Sequence, residues 1–266
     1  MYRGYKIKPV EFEDLESLVN IGRGIYKKNT EVAKNALDSF ILSDNSLDGT
    51  KISETWFPKV EADVFISHSH NDETFAIALA GWLFANFKIK SFIDSCIWGY
   101  SNELLRNIDN EYCFNPITHL YDYKQRNYST SHVHMMLSTA LAFMIDKAEC
   151  LIILDTNNSI KPFKDTDRTK SPWIYFEVVL SKLIRQRIPD RIKLVLEEKY
   201  FSADGTKEIS KGVDFSYEID LCNLVQIDHI TLNNWQRIPN LNSAEIALDK
   251  LYSIAPPSSY SKSLHG

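Results

Sequence analysis

A chain of 266 residues has room for one large domain, or for one domain with an extension. Its apolar content of 44% and charged content of 24% are ordinary for a globular protein, and 30 basic against 35 acidic residues leave a net charge of −5. Because the sequence contains no basic stripe, no apolar run of about 18 residues and no apolar leader, we expect neither nucleic acid nor a membrane as partner, and a cytoplasmic location. The four scattered cysteines predict reduced thiols.

Residues 1–58 are predicted to form an N-terminal helical extension that packs on the main domain or on another subunit. Phe12, Leu15 and Val19 recur at helical spacing, and Thr30 is a candidate N-cap for a second helix.

From residue 59 to residue 255, short apolar runs alternate with helical segments. Such alternation is typical of parallel strands joined by crossover helices. The sequence therefore predicts an α/β fold, a flavodoxin-like doubly wound parallel sheet of about five strands. An insertion at about 109–131 follows the second strand, and a disordered tail is expected at 256–266. The predicted strands are 62–67, 89–94, 149–155, 192–197 and 222–227, and the predicted helices are 72–87, 101–110, 131–147, 172–187 and 243–253.

One glutamate stands within an apolar helix face. Ser171 and Pro172 are typical of the cap and first position of a helix. In that helix Glu177 shares a face with Trp173 and Leu180 by the i, i+3, i+4, i+7 rule. The glutamate lies too far from the cap for a capping box, and no Lys or Arg stands three or four residues away. Two readings stay open, a functional-site carboxylate or a carboxylate paired with a distant cation.

Polar residues also follow the ends of the predicted strands. Ser67 and His68 end the first strand, Asp94 ends the second and Asp155 ends the third. Ligands of open parallel sheets bind beyond the carboxyl ends of the strands. We therefore expect these residues to meet Glu177 at one edge of the sheet.

These motifs, in this order, resemble the Toll/interleukin-1 receptor (TIR) domain over about residues 60–255. The resemblance rests on DVFISHS at 63–69, FID at 92–94, LIILDT at 151–156 and SPWIYFE at 171–177. Trp173 and Glu177 match the WxxxE motif of enzymatically active members. The resemblance implies a TIR fold and cleavage of the bond between nicotinamide and ribose in NAD⁺, which is a substrate here, with no cofactor and no metal.

Glu177 is the expected catalytic residue. Nicotinamide leaves NAD⁺ as a neutral molecule, so the reaction needs no general acid of the kind that glycosidases use. A desolvated carboxylate stabilises the ribosyl cation that remains. By position in the family, Ser67 and His68 line the substrate site, although both are also common turn residues.

Three further residues are candidates for substrate binding. Asp94 either faces the ligand or caps its loop. Trp173 either stacks on a base or packs in the core. Trp98 lies in the 95–102 loop, where TIR domains have their assembly loop, and exposed aromatics there suit a substrate or a partner. A pair of histidines, His132 and His134, is not predicted to bind a metal because residues two apart on a helix point to different sides.

The insertion and the extension depart from a compact TIR domain. A TIR-like chain with this insertion and this extension is similar to the stand-alone bacterial TIR proteins of antiphage defence, as in Thoeris systems. That similarity implies an ADP-ribose-derived signal, cyclic or conjugated, that activates a separate effector protein. It also implies a phage trigger protein and self-association through the 95–102 loop or the N-terminal helices. The alternatives are a non-catalytic TIR interaction module and a nucleoside-processing transferase of similar fold with a glutamate nucleophile.

Overall fold

The computed structural model describes residues 1–26, 37–98, 101–164, 166–193 and 215–257. In chain order the elements are β1 (Arg3–Ile7), α1 (Leu15–Tyr26), α2 (Gly49–Trp56), β2 (Val64–Ser67), α3 (Glu73–Phe87), β3 (Ser91–Phe92), α4 (Asp94–Trp98), α5 (Ser101–Ile108), β4 (Phe114–Asn115), β5 (Leu120–Tyr121), α6 (Tyr123–Lys147), β6 (Cys150–Leu154), β7 (Lys161–Phe163), β8 (Thr166–Thr169), α7 (Pro172–Leu183), α8 (Asp190–Lys193), β9 (Tyr217–Ile219), β10 (Leu224–Ile227), α9 (His229–Gln236) and α10 (Ala244–Ile254).

A five-stranded, all-parallel sheet lies at the centre, and it confirms the predicted α/β, doubly wound architecture. Its strand order is β3-β2-β6-β1-β10. Every residue of β2 and of β6 is buried, which accounts for their continuous apolar sequences. Among the described residues, no helix is both long and apolar enough to cross a membrane.

The prediction that residues 1–58 form a helical extension is wrong, because their first strand lies inside the sheet. β1 pairs with β6 on one side and with β10 on the other, with Tyr5 opposite Ile152 and Val225. Tyr5 is fully buried, and its hydroxyl donates a hydrogen bond to the carbonyl of Ala255. The five-residue segment RGYKI is too short and too polar to be recognised as a central strand from its pattern alone.

The first helix is equally integral, because α1 crosses α3 at backbone contact. A Cβ placed on Gly81 would lie 2.0 Å from the carbonyl oxygen of Leu18. A Cβ on Gly22 would lie 2.2 Å from the carbonyl oxygen of Ile77. Both positions therefore require glycine. Of the second helix predicted from Thr30 onward, residues up to 36 lie outside the described residues, and Leu37–Phe40 form a 3₁₀ turn.

The fourth predicted strand is replaced by β1. Strands of a flavodoxin-like sheet lie in the order 2-1-3-4-5. The order here is β3-β2-β6-β1-β10, so β1 occupies the position that the fourth strand has in that fold. Of the strand predicted at 192–197, residues 192 and 193 belong to α8 instead, and residues 194–197 lie outside the described residues.

The predicted insertion contains ordered structure and the start of a long helix. A π-helical turn at Asp109–Cys113 leads into the antiparallel β4–β5 hairpin. α6 then begins at Tyr123, eight residues earlier than predicted, because the Asp122 side chain accepts a hydrogen bond from the backbone N–H of Gln125 at 2.8 Å. The sequence pattern around residue 122 did not indicate this cap.

A second antiparallel sheet, β7-β8-β9, was not predicted; β7 and β8 precede α7 in the chain, and β9 follows it. Its strands are three or four residues long, β7 is exposed, and β8 and β9 bury only one residue each, so they carry no clear alternation of apolar residues. Of the tail predicted to be disordered, residues 258–266 lie outside the described residues.

Candidate functional site

The candidate site lies at the switch point of the sheet, between β2 and β6, where successive strands are added on opposite sides. From β2 the chain passes through α3 to β3 on one side, whereas β6 is followed by the route to β10 on the other side. Crevices at the carboxyl ends of two such strands are the usual ligand sites of open α/β sheets. The predicted residues at the ends of β2 and β6 therefore lie at a favourable place.

Glu177 is buried at this edge. The Ser171 hydroxyl caps α7 by accepting a hydrogen bond from the Ile174 N–H at 3.2 Å, and Pro172 takes the first helical position. This cap fixes the start of the helix, and Glu177 in its second turn faces inwards with only 3% of its surface exposed. The buried face also holds Ile174 and Val178, whereas Trp173 is only partly buried.

A hydroxyl from the sheet is the hydrogen-bond partner of this carboxylate. Ser67, the last residue of β2, is buried and donates to Oε2 of Glu177 at 2.5 Å. No basic side chain of the described residues forms an ion pair with Glu177. Within that part of the chain, the alternative of a structural pair with a distant cation has no support.

The environment disfavours ionisation of Glu177. Burial raises the pKa of its carboxyl well above the usual range, and the nearby negative charge of Asp94 raises it further. The hydrogen bond from Ser67 acts in the opposite direction and lowers the pKa. A positive charge brought close to this carboxyl would lower its pKa again and favour the ionised form.

His68 and Asp94 lie beside this pair. The His68 ring is buried, with Nε2 at 3.2 Å from the Ser95 hydroxyl and Nδ1 at 3.8 Å from Oδ1 of Asp94. At that distance His68 Nδ1 has no hydrogen-bond partner in the described structure. Asp94 begins α4, and its side chain is about one-third exposed, so it connects the buried cluster to the surface.

The two predicted tryptophans differ in their positions. Trp173 is partly buried one helical turn before Glu177, and its ring meets that of His134 edge to face at 5.6 Å. Trp98 is not in an exposed loop: it ends α4, is 3% exposed and donates a hydrogen bond to the carbonyl of Pro58. Its ring packs against Phe92 and Phe57, so the expectation of an exposed aromatic at this position is wrong. Residues 99–100 of the predicted 95–102 loop lie outside the described residues.

A polar link between the two strand-end loops was missed by the sequence analysis. Asp72 accepts hydrogen bonds from the Thr156 hydroxyl at 2.5 Å and from the Asn158 amide at 2.8 Å. It thereby ties the loop after β2 to the loop after β6 beside the crevice. Asp155, the predicted polar residue there, is half-buried, and its N–H donates to the carbonyl of Ile7.

The described residues contain no group of three or more His, Cys, Asp or Glu side chains arranged to hold a metal ion. His132 and His134 contact different rings, those of Tyr128 and Trp173. What the site offers is the buried carboxyl group of Glu177, a serine hydroxyl, an imidazole whose Nδ1 has no hydrogen-bond partner in the described structure, and a second carboxyl group that is about one-third exposed. Groups of this kind stabilise a developing positive charge and bind hydroxyl groups.

Comparisons of the chain with known protein families, with characterised proteins and with solved structures gave no match.

Proposed function

We propose that this protein is a TIR-type enzyme that cleaves the bond between nicotinamide and ribose in NAD⁺, with Glu177 as its catalytic residue. The observation that carries the proposal is a carboxylate that is buried, bonded to the Ser67 hydroxyl and without a cation among the described residues. An unpaired buried carboxyl is costly for folding, so its presence at the sheet's switch point favours a functional role.

The proposed reaction needs one carboxylate. The bond between ribose C1′ and the pyridinium nitrogen breaks, and its electron pair leaves with nicotinamide, which becomes neutral. The ribosyl cation left behind is stabilised by ionised Glu177 until a nucleophile adds to C1′. Water as the nucleophile gives ADP-ribose and releases a proton to solvent. A nitrogen or hydroxyl of the ADP-ribosyl unit or of another molecule gives a cyclic or conjugated product, with loss of a proton where the attacking group carries one.

Substrate charge links this chemistry to the raised pKa of Glu177. In the free protein the buried carboxyl holds its proton at higher pH than an ordinary glutamate. The cationic nicotinamide ring favours the ionised form when it binds nearby. In this proposal Ser67 orients the carboxylate, while His68 and Asp94 bind polar groups of the substrate and Trp173 contacts a ring.

We place the reaction in the cytoplasm, where the nucleotide signal would activate a separate effector protein after a phage trigger. These points rest on the resemblance to bacterial TIR proteins of antiphage defence.

The decisive experiment compares Glu177→Gln with a matched control, Glu245→Gln, at an exposed site on α10. Purified proteins are incubated with NAD⁺, and nicotinamide and nucleotide products are separated by chromatography with mass detection. We expect Glu177→Gln to fold and to lose at least about a hundredfold in turnover, and Glu245→Gln to match wild type. Wild-type turnover by Glu177→Gln would show that the proposed catalytic role is incorrect.

A further inference from the structure

The β4–β5 hairpin presents an ordered apolar tip. Asn115 Oδ1 accepts hydrogen bonds from the N–H groups of Ile117 and Thr118 at 2.9 and 3.1 Å, which fixes the turn. Ile117 at this tip is 88% exposed. The hydrogen-bonded turn therefore keeps the branched apolar side chain of Ile117 exposed to solvent.

The base of the hairpin is anchored to the domain. Asp109 is buried and accepts hydrogen bonds from Arg126 Nε at 2.8 Å and from the Ser129 hydroxyl at 2.6 Å. The Tyr121 hydroxyl donates to Asn110 Oδ1, and its ring lies against Phe114 and Arg126. Because these groups are already ordered, docking another surface here has a low conformational entropy cost.

The hairpin and the first half of α6 expose a large apolar surface. At about 200 Å² for each large side chain, the exposed parts of these residues sum to roughly 1,000 Å². For comparison, each partner of a standard interface buries about 800 Å². The residues are Tyr112, Phe114, Ile117, Leu120, Tyr121, Tyr123, Tyr128 and Met135.

An apolar groove follows on the same helix. A cavity of about 710 Å³ lies between α2 and α6; its apolar part is formed by residues that include Phe57, Met135, Met136, Ala140 and Phe143, and polar residues that include Glu54, Lys59 and His132 also line it. Methionines adapt to the shape of an apolar partner. Met136 stands 13 residues beyond the start of α6, so the groove lies about 20 Å along the helix axis from the hairpin.

We propose that the hairpin and the groove form a reciprocal interface between two copies of this chain. With the two α6 helices antiparallel about a twofold axis, Ile117 of each copy enters the groove of the other. In a closed twofold contact each hairpin fills the groove of the other copy, so both apolar surfaces are covered in one interface. The exposed area of these residues is comparable with the area that each partner of a standard interface buries, which favours a second copy as the occupant.

Sedimentation velocity of the full chain from about 1 to 100 µM tests this interface. We expect a wild-type dimer with a Kd of about 10 µM or tighter. Ile117→Asp at the tip and Met135→Asp in the groove are each expected to weaken it at least about thirtyfold. Ile230→Asp on α9 is the matched control, since Ile230 is 55% exposed on another helix, and we expect it to leave the Kd unchanged.

A third variant removes the hairpin without cutting α6. The N–H of Asp122 donates to the carbonyl of Cys113 at 2.8 Å, so a Gly-Gly link can replace residues 114–121. Circular dichroism and thermal melting verify the fold of each variant. A wild-type monomer at 100 µM, or a dimer that survives both Ile117→Asp and hairpin removal, overturns the proposal. If Ile230→Asp weakens the dimer as much as Ile117→Asp does, the proposal is also overturned, because an added negative charge far from the hairpin and the groove would then have the same effect.

Discussion

The Ser67 hydroxyl and the Glu177 carboxylate lie 2.5 Å apart, although 110 residues separate them in the chain. The bond joins the end of β2 to the second turn of α7 across the crevice at the sheet's carboxyl edge. Ser67 lowers the pKa of Glu177, whereas burial and Asp94 raise it. The two neighbours therefore act on the carboxyl in opposite directions, and their removal should shift the pH dependence of the proposed activity in opposite directions.

Removing the charge of Asp94 should move activity to lower pH. If ionised Glu177 is the active form, kcat/KM rises with pH through the raised pKa of this group in the free enzyme. Asp94→Asn removes a cause of that elevation, so we expect the ratio of kcat/KM at pH 6 to that at pH 8 to increase at least about threefold. Initial rates of nicotinamide release measure the ratio. An unchanged profile in a folded variant would contradict the coupling between the two carboxyls.

Removing the Ser67 hydroxyl should have the opposite effect. Ser67→Ala deletes the hydrogen bond that favours the ionised carboxylate, so the pH profile should move to higher pH. We also expect about a tenfold loss of kcat at pH 7 as the carboxylate loses its orientation. Ser138→Ala, on the outer part of α6, is the control and should leave both the rate and the profile as in wild type. A shift of the Ser67→Ala profile to lower pH would be inconsistent with the assigned hydrogen bond.

The buried carboxyl should also affect stability without any substrate. Above the unfolded-state pKa of about 4.3 and up to the raised folded-state pKa, the folded protein binds more protons than the unfolded chain. Glu177 therefore makes the free energy of unfolding fall as pH rises, by up to about 1.4 kcal/mol per pH unit. Glu177→Gln removes this slope, so the variant should be more stable than wild type at pH 8 and the difference should shrink towards pH 4. Urea unfolding between these pH values measures it, and equal slopes for the two proteins would refute the raised pKa.

The crossing of α1 with α3 predicts opposite effects at two glycines of one helix. Gly22→Ala places a methyl group against the Ile77 backbone and should destabilise the protein by about 2 kcal/mol or more. Gly24→Ala has nothing within 4 Å of its added methyl and should stabilise by up to about 1 kcal/mol through helix propensity. Thermal and urea unfolding distinguish them. Similar effects of the two substitutions would mean that α1 does not pack on α3 as described.

If Trp173 contacts the substrate ring, Trp173→Leu should raise KM for NAD⁺ about tenfold with a smaller effect on kcat. His134→Ala removes only the edge-to-face neighbour of that ring and should raise KM about twofold. Steady-state kinetics separate the two constants. A loss confined to kcat would indicate that Trp173 positions Glu177 instead.

Sequence patterns predicted most of the sheet and the central pair of the site. Buried parallel strands such as β2 and β6 carry continuous apolar runs, and Ser171 with Pro172 marks the start of α7. From these features, Ser67 and Glu177 were placed at one edge of the sheet. Their direct bond depends on how α7 packs on β2, which no local pattern contains.

The errors have a common physical origin in tertiary contacts. β1 is short and carries Arg3 and Lys6, so only its pairing with two distant strands makes it central. Trp98 looked like a loop residue because Gly99 follows it, but packing against Phe92 draws it into the core. The Asp72 link to Thr156 joins loops that are 84 residues apart, and it could not be read from spacing.

The position of β1 has a consequence for the synthesis of the protein. This strand is translated before either of its partners, residues 150–154 and residues 224–227. At about 5–20 residues per second, about 10–45 s pass before the last of these partners has been translated. Until β6 has been made β1 has no partner in the sheet, and until β10 has been made one edge of β1 stays open to pairing with other chains. Aggregation during translation, more than the stability of the finished fold, should therefore limit the yield of this protein.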